Sequence, residues 1–187
     1  MTLWWLRRPG TVASLSERDL LNQARSGNSE AIRALLTPHE PLVFRLCLAI
    51  LGNRADAEDA AQETLLAAIK ALPRFRGDAQ ISTWLVRIAR NLCTKRRPVN
   101  VALDDAGLSV VGPEETTLDR LVLRDALAHL TDLQRTCLML QAVEGWSARE
   151  IAQSLSVTSK KVENELYRAR KALARWEESS NGDEDGN

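Results

Sequence analysis

Four polar side chains lie close together on one side of a predicted helix and form a surface suited to a cationic partner. At 100° per residue they occupy roughly one third of the helix circumference; they are Asp56, Asp59, Gln62 and Glu63. Asp59 and Glu63 are four residues apart, where like charges destabilise an isolated helix by about 0.2–0.5 kcal/mol. Taken alone, the pattern favours a solvated helix face with Asp56 as N-cap, and the alternative is a surface that binds a partner.

A basic segment follows this acidic one. Residues 70–97 contain eight Lys or Arg and one Asp, a net charge of +7. In the helix predicted there, Arg87, Arg90 and Asn91 lie opposite the apolar residues and follow a polar turn at 76–80. A cationic helix beside a polar loop is typical of a site that tracks a nucleic-acid backbone and holds an unstacked base. Trp84 adjoins the apolar face, so packing in the core is the favoured interpretation of that residue.

A second basic segment, residues 158–176, has six cations and two acids, a net charge of +4. It follows a capping box at 147–150 and a short break at 156–157, which is the spacing of a helix-turn-helix motif, although an ordinary αα-hairpin shows the same spacing. The apolar stripe of this helix leaves several polar side chains on the outer face: Lys160, Asn164, Tyr167, Arg168 and Lys171. Such a face suits a DNA groove, with cations at phosphates and Asn164 at a base edge, or it is a solvated basic face.

The elements that position these faces are helices, because helical periodicity dominates the chain and strand alternation is nearly absent. We therefore predict an all-α fold. The predicted helices span 16–25, 29–36, 41–51, 56–72, a segment beginning at 82, 117–129, 132–143, 147–155 and 158–176.

Composition divides the chain into two small helical domains joined by a flexible acidic linker. The predicted parts are an N-terminal extension at 1–15, a first domain at 16–97, the linker at 98–116, a second domain at 117–176 and a disordered acidic tail at 177–187. Cys47, Cys93 and Cys137 are far apart and have the spacing of neither a zinc site nor a disulfide framework, so we expect small buried residues. The chain lacks an apolar run long enough for a membrane span, and a cytoplasmic location is expected.

Taken in order, five short motifs resemble the extracytoplasmic-function (ECF) group of bacterial sigma factors. The resemblance covers about residues 16–173. The motifs are AEDAAQE at 57–63, WLVRIARN at 84–91, LQR at 133–135, EIA at 150–152 and LYRARKAL at 166–173.

The resemblance implies a two-domain initiation factor without catalytic activity or cofactor. It implies binding to core RNA polymerase, at the β′ clamp helices and the β subunit, and to promoter DNA. The implied polymerase-binding residues are Asp59, Gln62 and Glu63. The implied −10 DNA-binding residues are Arg76, Gly77, Asp78, Ala79, Gln80, Trp84, Arg87, Arg90 and Asn91. The implied −35 DNA-binding residues are Thr158, Ser159, Lys160, Lys161, Asn164, Tyr167 and Arg168.

Glu163 and Glu165 depart from this resemblance, because many family members carry basic residues at those positions. Fewer cationic contacts should weaken DNA binding and flatten its salt dependence. Lys160 and Lys161 are candidates to replace the lost phosphate contacts. The zinc-binding anti-sigma signature is absent, so we expect regulation by a separate anti-sigma factor. Two other functions fit the sequence: a stand-alone helix-turn-helix regulator, and a degenerate sigma-like protein that titrates polymerase or an anti-sigma factor.

Overall fold

The computed structural model describes residues 17–96 and 125–182, and every regular element in these ranges is helical. The predicted all-α fold is confirmed. The predicted N-terminal extension, the linker at 98–116 and residues 183–187 of the tail lie outside the described residues.

Five helices form the first domain: α1 Glu17–Arg25, α2 Ser29–Leu36, α3 Glu40–Leu51, α4 Arg54–Ala71 and α5 Ile81–Arg96. The 3-10 turns Thr37–His39 and Leu72–Arg74 follow α2 and α4, and each has a proline at its second position. Helix α3 packs against both α4 and α5, and its Leu46, Cys47 and Leu48 are completely buried. The core of the domain therefore lies around α3.

The N-terminus of α4 differs from the sequence expectation, which placed Asp56 at the N-cap. Asn53 is the N-cap, and its side-chain oxygen accepts a hydrogen bond from the backbone N–H of Asp56 at 2.8 Å. Gly52, with φ of 79°, ends α3 in the left-handed conformation and lets Asn53 take the extended conformation of a cap. Asp56 thus lies within the first turn, where its charge still favours the helix dipole.

The described part of the second domain begins with helical residues 125–128, followed by three helices: α6 Asp132–Ala142, α7 Ala148–Leu155 and α8 Ser159–Gly182. Capping boxes begin α6, through Thr131 and Gln134, and α7, through Ser147 and Glu150. The second box confirms the sequence interpretation of 147–150. Between α7 and α8, Ser156 has φ of 56° and the N–H of Val157 donates to the carbonyl of Ala152 at 3.0 Å.

Helix α8 continues further than predicted, since residues 177–182 are helical and were assigned to a disordered tail. At the start of this extension, the indole N–H of Trp176 donates to a carboxylate oxygen of Asp125 at 2.7 Å. Ser179 donates to the carbonyl of Trp176 at 2.8 Å, which adds a contact in the next turn.

The two domains pack against each other, which the sequence had not indicated. Helix α6 lies on α3, α7 lies on α5, and buried side chains from both domains belong to one hydrophobic cluster. We call this contact region the seam. Next to the seam, Arg45 of α3 forms an ion pair with Glu144, with Nε to Oε1 at 2.7 Å.

Among the described residues, Ser29–Leu51 is long and apolar enough to cross a membrane. More than half of its most apolar window, 56%, is buried inside the protein. The stretch is also divided between α2 and α3 by the 3-10 turn that contains Pro38. Its apolar side chains form the core of the first domain.

Candidate polymerase and nucleic-acid interfaces

The predicted acidic surface is present on α4. Asp59, Gln62 and Glu63 are exposed, whereas Ala60 and Ala61 of the same turns are buried. Glu63 forms an ion pair with Arg96 at the end of α5. We call Asp59, Gln62 and Glu63 the acidic face. It therefore adjoins the last turn of the basic helix.

The polar loop before α5 is exposed and is supported by α1. Gly77 has φ of +81°, a conformation that side-chain-bearing residues rarely adopt. The Cδ2 atom of Leu21 lies 3.2 Å from the place where a Cβ of Gly77 would be. Arg76, Asp78 and Gln80 of the loop are exposed, and Ala79 is partly buried. Both the backbone angle and the approach of α1 therefore favour glycine in this loop.

Trp84 lies at the inner edge of the loop. Its ring stacks on the ring of Phe75, with centroids 4.4 Å apart and planes inclined by 27°. Phe75 is buried and Trp84 is half-buried. This contact agrees with the core interpretation of Trp84, because the ring holds the start of α5 against the loop.

The basic face of α5 is directed at the seam. Arg87 donates from Nη2 to the carbonyl oxygen of Gln153 at 3.0 Å, and Arg90 donates from Nη1 to that of Leu155 at 3.0 Å. These carbonyls belong to the last turn of α7, where a helix leaves acceptors unsatisfied and carries partial negative charge. Asn91, one residue further along α5, is exposed. The structure therefore brings the predicted cations of α5 against the second domain.

A groove of about 780 Å³ lies where α1, the loop and α7 meet. The loop contributes residues 75–81, and α7 contributes Glu150 and Gln153. Helix α1 contributes Arg18, Asn22 and Arg25, which the sequence analysis did not consider. Their spacing of four and three residues places them on one helix face, a signal that was available in the sequence.

On α8 the predicted face is exposed. Lys160, Lys161 and Asn164 are exposed, and Tyr167 is 64% exposed. On the opposite stripe, Val162, Leu166 and Ala169 are buried, as predicted.

Two residues at the start of this face differ from the others. Thr158 has a structural role, because its hydroxyl accepts a hydrogen bond from the backbone N–H of Lys161 at 3.2 Å. Ser159, the first residue of α8, is half-buried.

Comparison with known proteins decides the family. The model for Sigma-70 region 2 matches residues 35–97, and the model for Sigma-70 region 4 matches residues 120–173. Over 165 residues the chain is 33% identical to the ECF RNA polymerase sigma factor SigL of Mycobacterium tuberculosis, covering 80% of this chain and 90% of that protein. The chain belongs to the ECF sigma factors. It is therefore a promoter-specificity factor that directs RNA polymerase to initiate transcription.

A second sigma factor and a solved structure agree with this assignment. The RNA polymerase sigma-H factor of Pseudomonas aeruginosa is 30% identical over 181 residues, covering 84% of this chain and 91% of the relative. Among solved structures, CnrH in complex with the cytosolic domain of CnrY matches with a TM-score of 0.69 and 26% identity. That match covers 87% of this chain and 97% of CnrH. Sequence comparison thus identifies the family, and structural comparison supports the helical architecture.

The two acids that depart from the ECF pattern have different environments. Glu163 is exposed on α8. The side chain of Glu165 is only 12% exposed; it accepts from Gln134 of α6 at 3.2 Å and from Arg168 at 3.3 Å. Glu165 therefore joins α8 to α6 and orients Arg168, whereas Glu163 is available to a ligand.

The three cysteines are free and buried, as predicted. A hydrogen bond with Cys93, together with burial, raises the pKa of the Cys47 thiol, while the same bond lowers the pKa of Cys93. Burial raises the pKa of Cys137 to about 11. Among the described residues, no group of His, Cys, Asp or Glu could hold a metal ion.

Proposed function

We propose that this ECF sigma factor binds core RNA polymerase through the acidic face of α4. The observation that carries the proposal is the coincidence of the family motif at 57–63 with an exposed acidic surface. Asp59, Gln62 and Glu63 are all accessible, and the buried alanines on the other side fix their direction. A basic helical surface such as the β′ clamp helices would complement their charge. The β subunit would contact other parts of the chain.

The loop at 76–80 and the basic face of α5 form the proposed −10 site. Arg87 and Arg90 would bind phosphates of the melted strand, while the loop and Asn91 would hold an unstacked base. The stacked pair of Phe75 and Trp84 supports this role by fixing the loop against α5.

The exposed face of α8 is the proposed −35 site. Lys160 and Lys161 would neutralise phosphates, and Asn164 and Tyr167 would contact base edges. Thr158 would act mainly through the helix N-cap that positions Lys161.

The domain roles follow from these surfaces. The first domain would bind polymerase and melt the −10 element, the second would read the −35 element, and the linker would cross the polymerase between them. The factor would have no catalytic activity and would work in the cytoplasm with the polymerase. An anti-sigma protein is the proposed regulatory partner, because solved structures of this fold include the sigma factor RpoE of Bartonella quintana in complex with the anti-sigma factor NepR.

Co-purification with core RNA polymerase tests the central contact. We expect the wild type to bind and the variant Asp59→Ala, Gln62→Ala, Glu63→Ala to lose most of its binding. The matched control is Glu177→Ala, Glu178→Ala, which also removes two exposed carboxylates, at the far end of α8. Helicity is compared by circular dichroism. Equal binding by both variants would refute the assignment of the acidic face.

A further inference from the structure

Helix α1 lies along the groove beside the −10 loop and contributes one of its walls. We propose that α1 binds the melted DNA strand together with the loop and α5. This inference rests on the proposed −10 site and extends it to three residues, Arg18, Asn22 and Arg25. The ligand would be the single-stranded sugar-phosphate backbone and one base edge.

The position of α1 is fixed by its packing against the loop. The Cδ2 atom of Leu21 lies 3.2 Å from where a Cβ of Gly77 would be, and α1 also contacts the 3-10 turn Leu72–Arg74. Ala24 on the same helix is 1% exposed. Because these contacts fix α1 against the loop, they also fix the direction of its polar face.

The polar face of α1 has the chemistry of a strand-binding surface. Arg18 and Arg25 are exposed, and neither forms an ion pair with another described residue. They lie one turn to either side of Asn22, about 10 Å apart along the helix at 1.5 Å per residue. Guanidinium groups pair with phosphates, and an amide pairs with base edges.

The salt dependence of strand binding tests this inference. Holoenzyme is reconstituted with wild type or with Arg18→Ala, Arg25→Ala, and its affinity for the labelled non-template strand of a promoter it transcribes is measured. Each lost phosphate contact reduces the log–log salt slope by about 0.7 for a single strand, so we expect a reduction of about 1.4. The control Arg54→Ala, Arg175→Ala removes two cations that do not line the groove.

The outcomes separate this inference from the proposed function. Failure of the wild-type holoenzyme to bind the strand would overturn both. Binding by the wild type with equal slopes for the α1 variant and the control would overturn the role of α1 alone. Arg18→Lys, Arg25→Lys retains the charge and should retain the slope, which excludes a loss caused by misfolding.

A second inference rests on different contacts, those of the seam. Arg87 and Arg90 donate to main-chain carbonyls at the end of α7, so these groups are engaged before DNA arrives. Glu150 and Gln153 of α7 also line the groove. The carbonyl oxygens at the end of α7 carry partial negative charge. They therefore accept hydrogen bonds from the arginines of α5 much as the phosphate oxygens of a DNA strand would. We infer that the packed arrangement masks the −10 site, and that the domains must separate before the strand binds.

The ion pair of Arg45 with Glu144 provides a way to open the seam without changing the −10 site. Arg45 is 29% exposed and Glu144 15% exposed, and Arg45 lies on α3. Reversing one charge would place two like charges in contact beside the seam. Reversing both would restore the pair.

Charge reversal distinguishes masking from simple electrostatics. Arg45→Glu lowers the net charge by two, which alone would weaken binding of the free chain to single-stranded DNA. Masking predicts the opposite, an affinity about tenfold higher than wild type for the same labelled strand. The double variant Arg45→Glu, Glu144→Arg should return to the wild-type affinity. Small-angle scattering should show a larger radius of gyration for the single variant only.

Weaker or unchanged binding by an expanded Arg45→Glu chain would overturn the masking inference. An unexpanded chain with unchanged affinity would overturn the role of the ion pair in closing the seam. Glu178→Arg, which raises the net charge by two away from the seam, shows how much of the effect of Glu144→Arg in the double variant comes from charge alone.

Discussion

The two basic helices, α5 and α8, differ in what their cations contact. On α5, Arg87 and Arg90 donate to carbonyls of α7 and Arg96 pairs with Glu63. On α8, Lys160 and Lys161 are exposed and make no ion pair with another described residue. The same kind of sequence pattern therefore gives one face whose arginines donate to the second domain and one face whose lysines are open to solvent.

This difference teaches that charge pattern and accessibility are separate properties. Arginines on one face of a helix indicate which kind of ligand that face can bind. Whether the ligand can reach the face depends on the tertiary packing around it. With the proposed −10 and −35 sites, duplex DNA would reach α8 directly, whereas a single strand would have to replace the end of α7 on α5. The following experiments test that difference.

The largest effect is expected from Arg87→Ala, Arg90→Ala in the holoenzyme. Hydrogen bonds to charged groups contribute about 1.5–3 kcal/mol each, so losing two should reduce open-complex formation at least a hundredfold. Permanganate reactivity of thymines in the melted region measures this. Thermal unfolding of the variant must be compared first, because Arg90 is half-buried. Undiminished melting by a folded variant would mean that α5 does not bind the strand.

A smaller effect is expected from Lys160→Ala, Lys161→Ala on α8. Duplex binding should lose about 0.9 units of log–log salt slope per phosphate contact, about 1.8 in total. Because this face is open, binding can be measured with the free chain. Fluorescence anisotropy of a labelled −35 duplex, at several salt concentrations, gives the slope. An unchanged slope would show that these lysines do not reach phosphates.

The two acids of α8 provide the next comparison. Glu163→Lys should raise the salt slope of duplex binding by about 0.9, because Glu163 is exposed on α8. Glu165→Lys should lower the melting temperature and bring no gain in affinity, since it breaks the contacts of Glu165 with Gln134 and Arg168. A gain in affinity from Glu165→Lys equal to that from Glu163→Lys would contradict the packed position of Glu165.

The smallest effect concerns the two capping boxes of the second domain. Hydrogen bonds from the hydroxyl and backbone N–H of Ser147 lower the pKa of Glu150 from 4.5. A lowered pKa in the folded state means that this stabilisation is present above about pH 4.5 and is lost as pH falls through the folded value. Glu150→Gln should therefore cost stability at pH 7 and progressively less on acidification, as measured by urea unfolding.

The box at Thr131 is the internal control for that experiment. Its partner is Gln134, an amide that does not titrate in this range. Thr131→Ala, which removes the capping hydroxyl and leaves the bond of Gln134 to Glu165 in place, should cost the same stability at pH 7 and at pH 4. A pH-dependent cost for Thr131→Ala would show that the acid effect arises elsewhere.

Helix faces were predictable because burial follows a period that can be read from the sequence. Val162, Leu166 and Ala169 are buried, and Asp59 and Glu63 are exposed, as the spacing of apolar residues required. The capping box at Ser147 was equally visible, because its two partners are three residues apart.

The seam was not predictable, because its contacts join main-chain atoms to side chains distant in sequence. Arg87 and Gln153 are 66 residues apart, and the acceptor is a carbonyl, a group that every residue has. The interior position of Glu165 depends likewise on Gln134, 31 residues away. The proposed role of α1 was missed for another reason: its polar face can be read from the sequence, but its position beside the loop at 76–80 cannot.

Transcription with purified core RNA polymerase on a library of genomic fragments tests the account most directly. The account predicts transcripts with discrete 5′ ends, absent with core alone, whose upstream regions share two elements at a fixed spacing. It further predicts that Arg87→Ala, Arg90→Ala abolishes them, and that Lys160→Ala, Lys161→Ala weakens them increasingly as salt is raised. No transcripts beyond those of core alone, from a folded wild-type chain free of inhibitor, would contradict it.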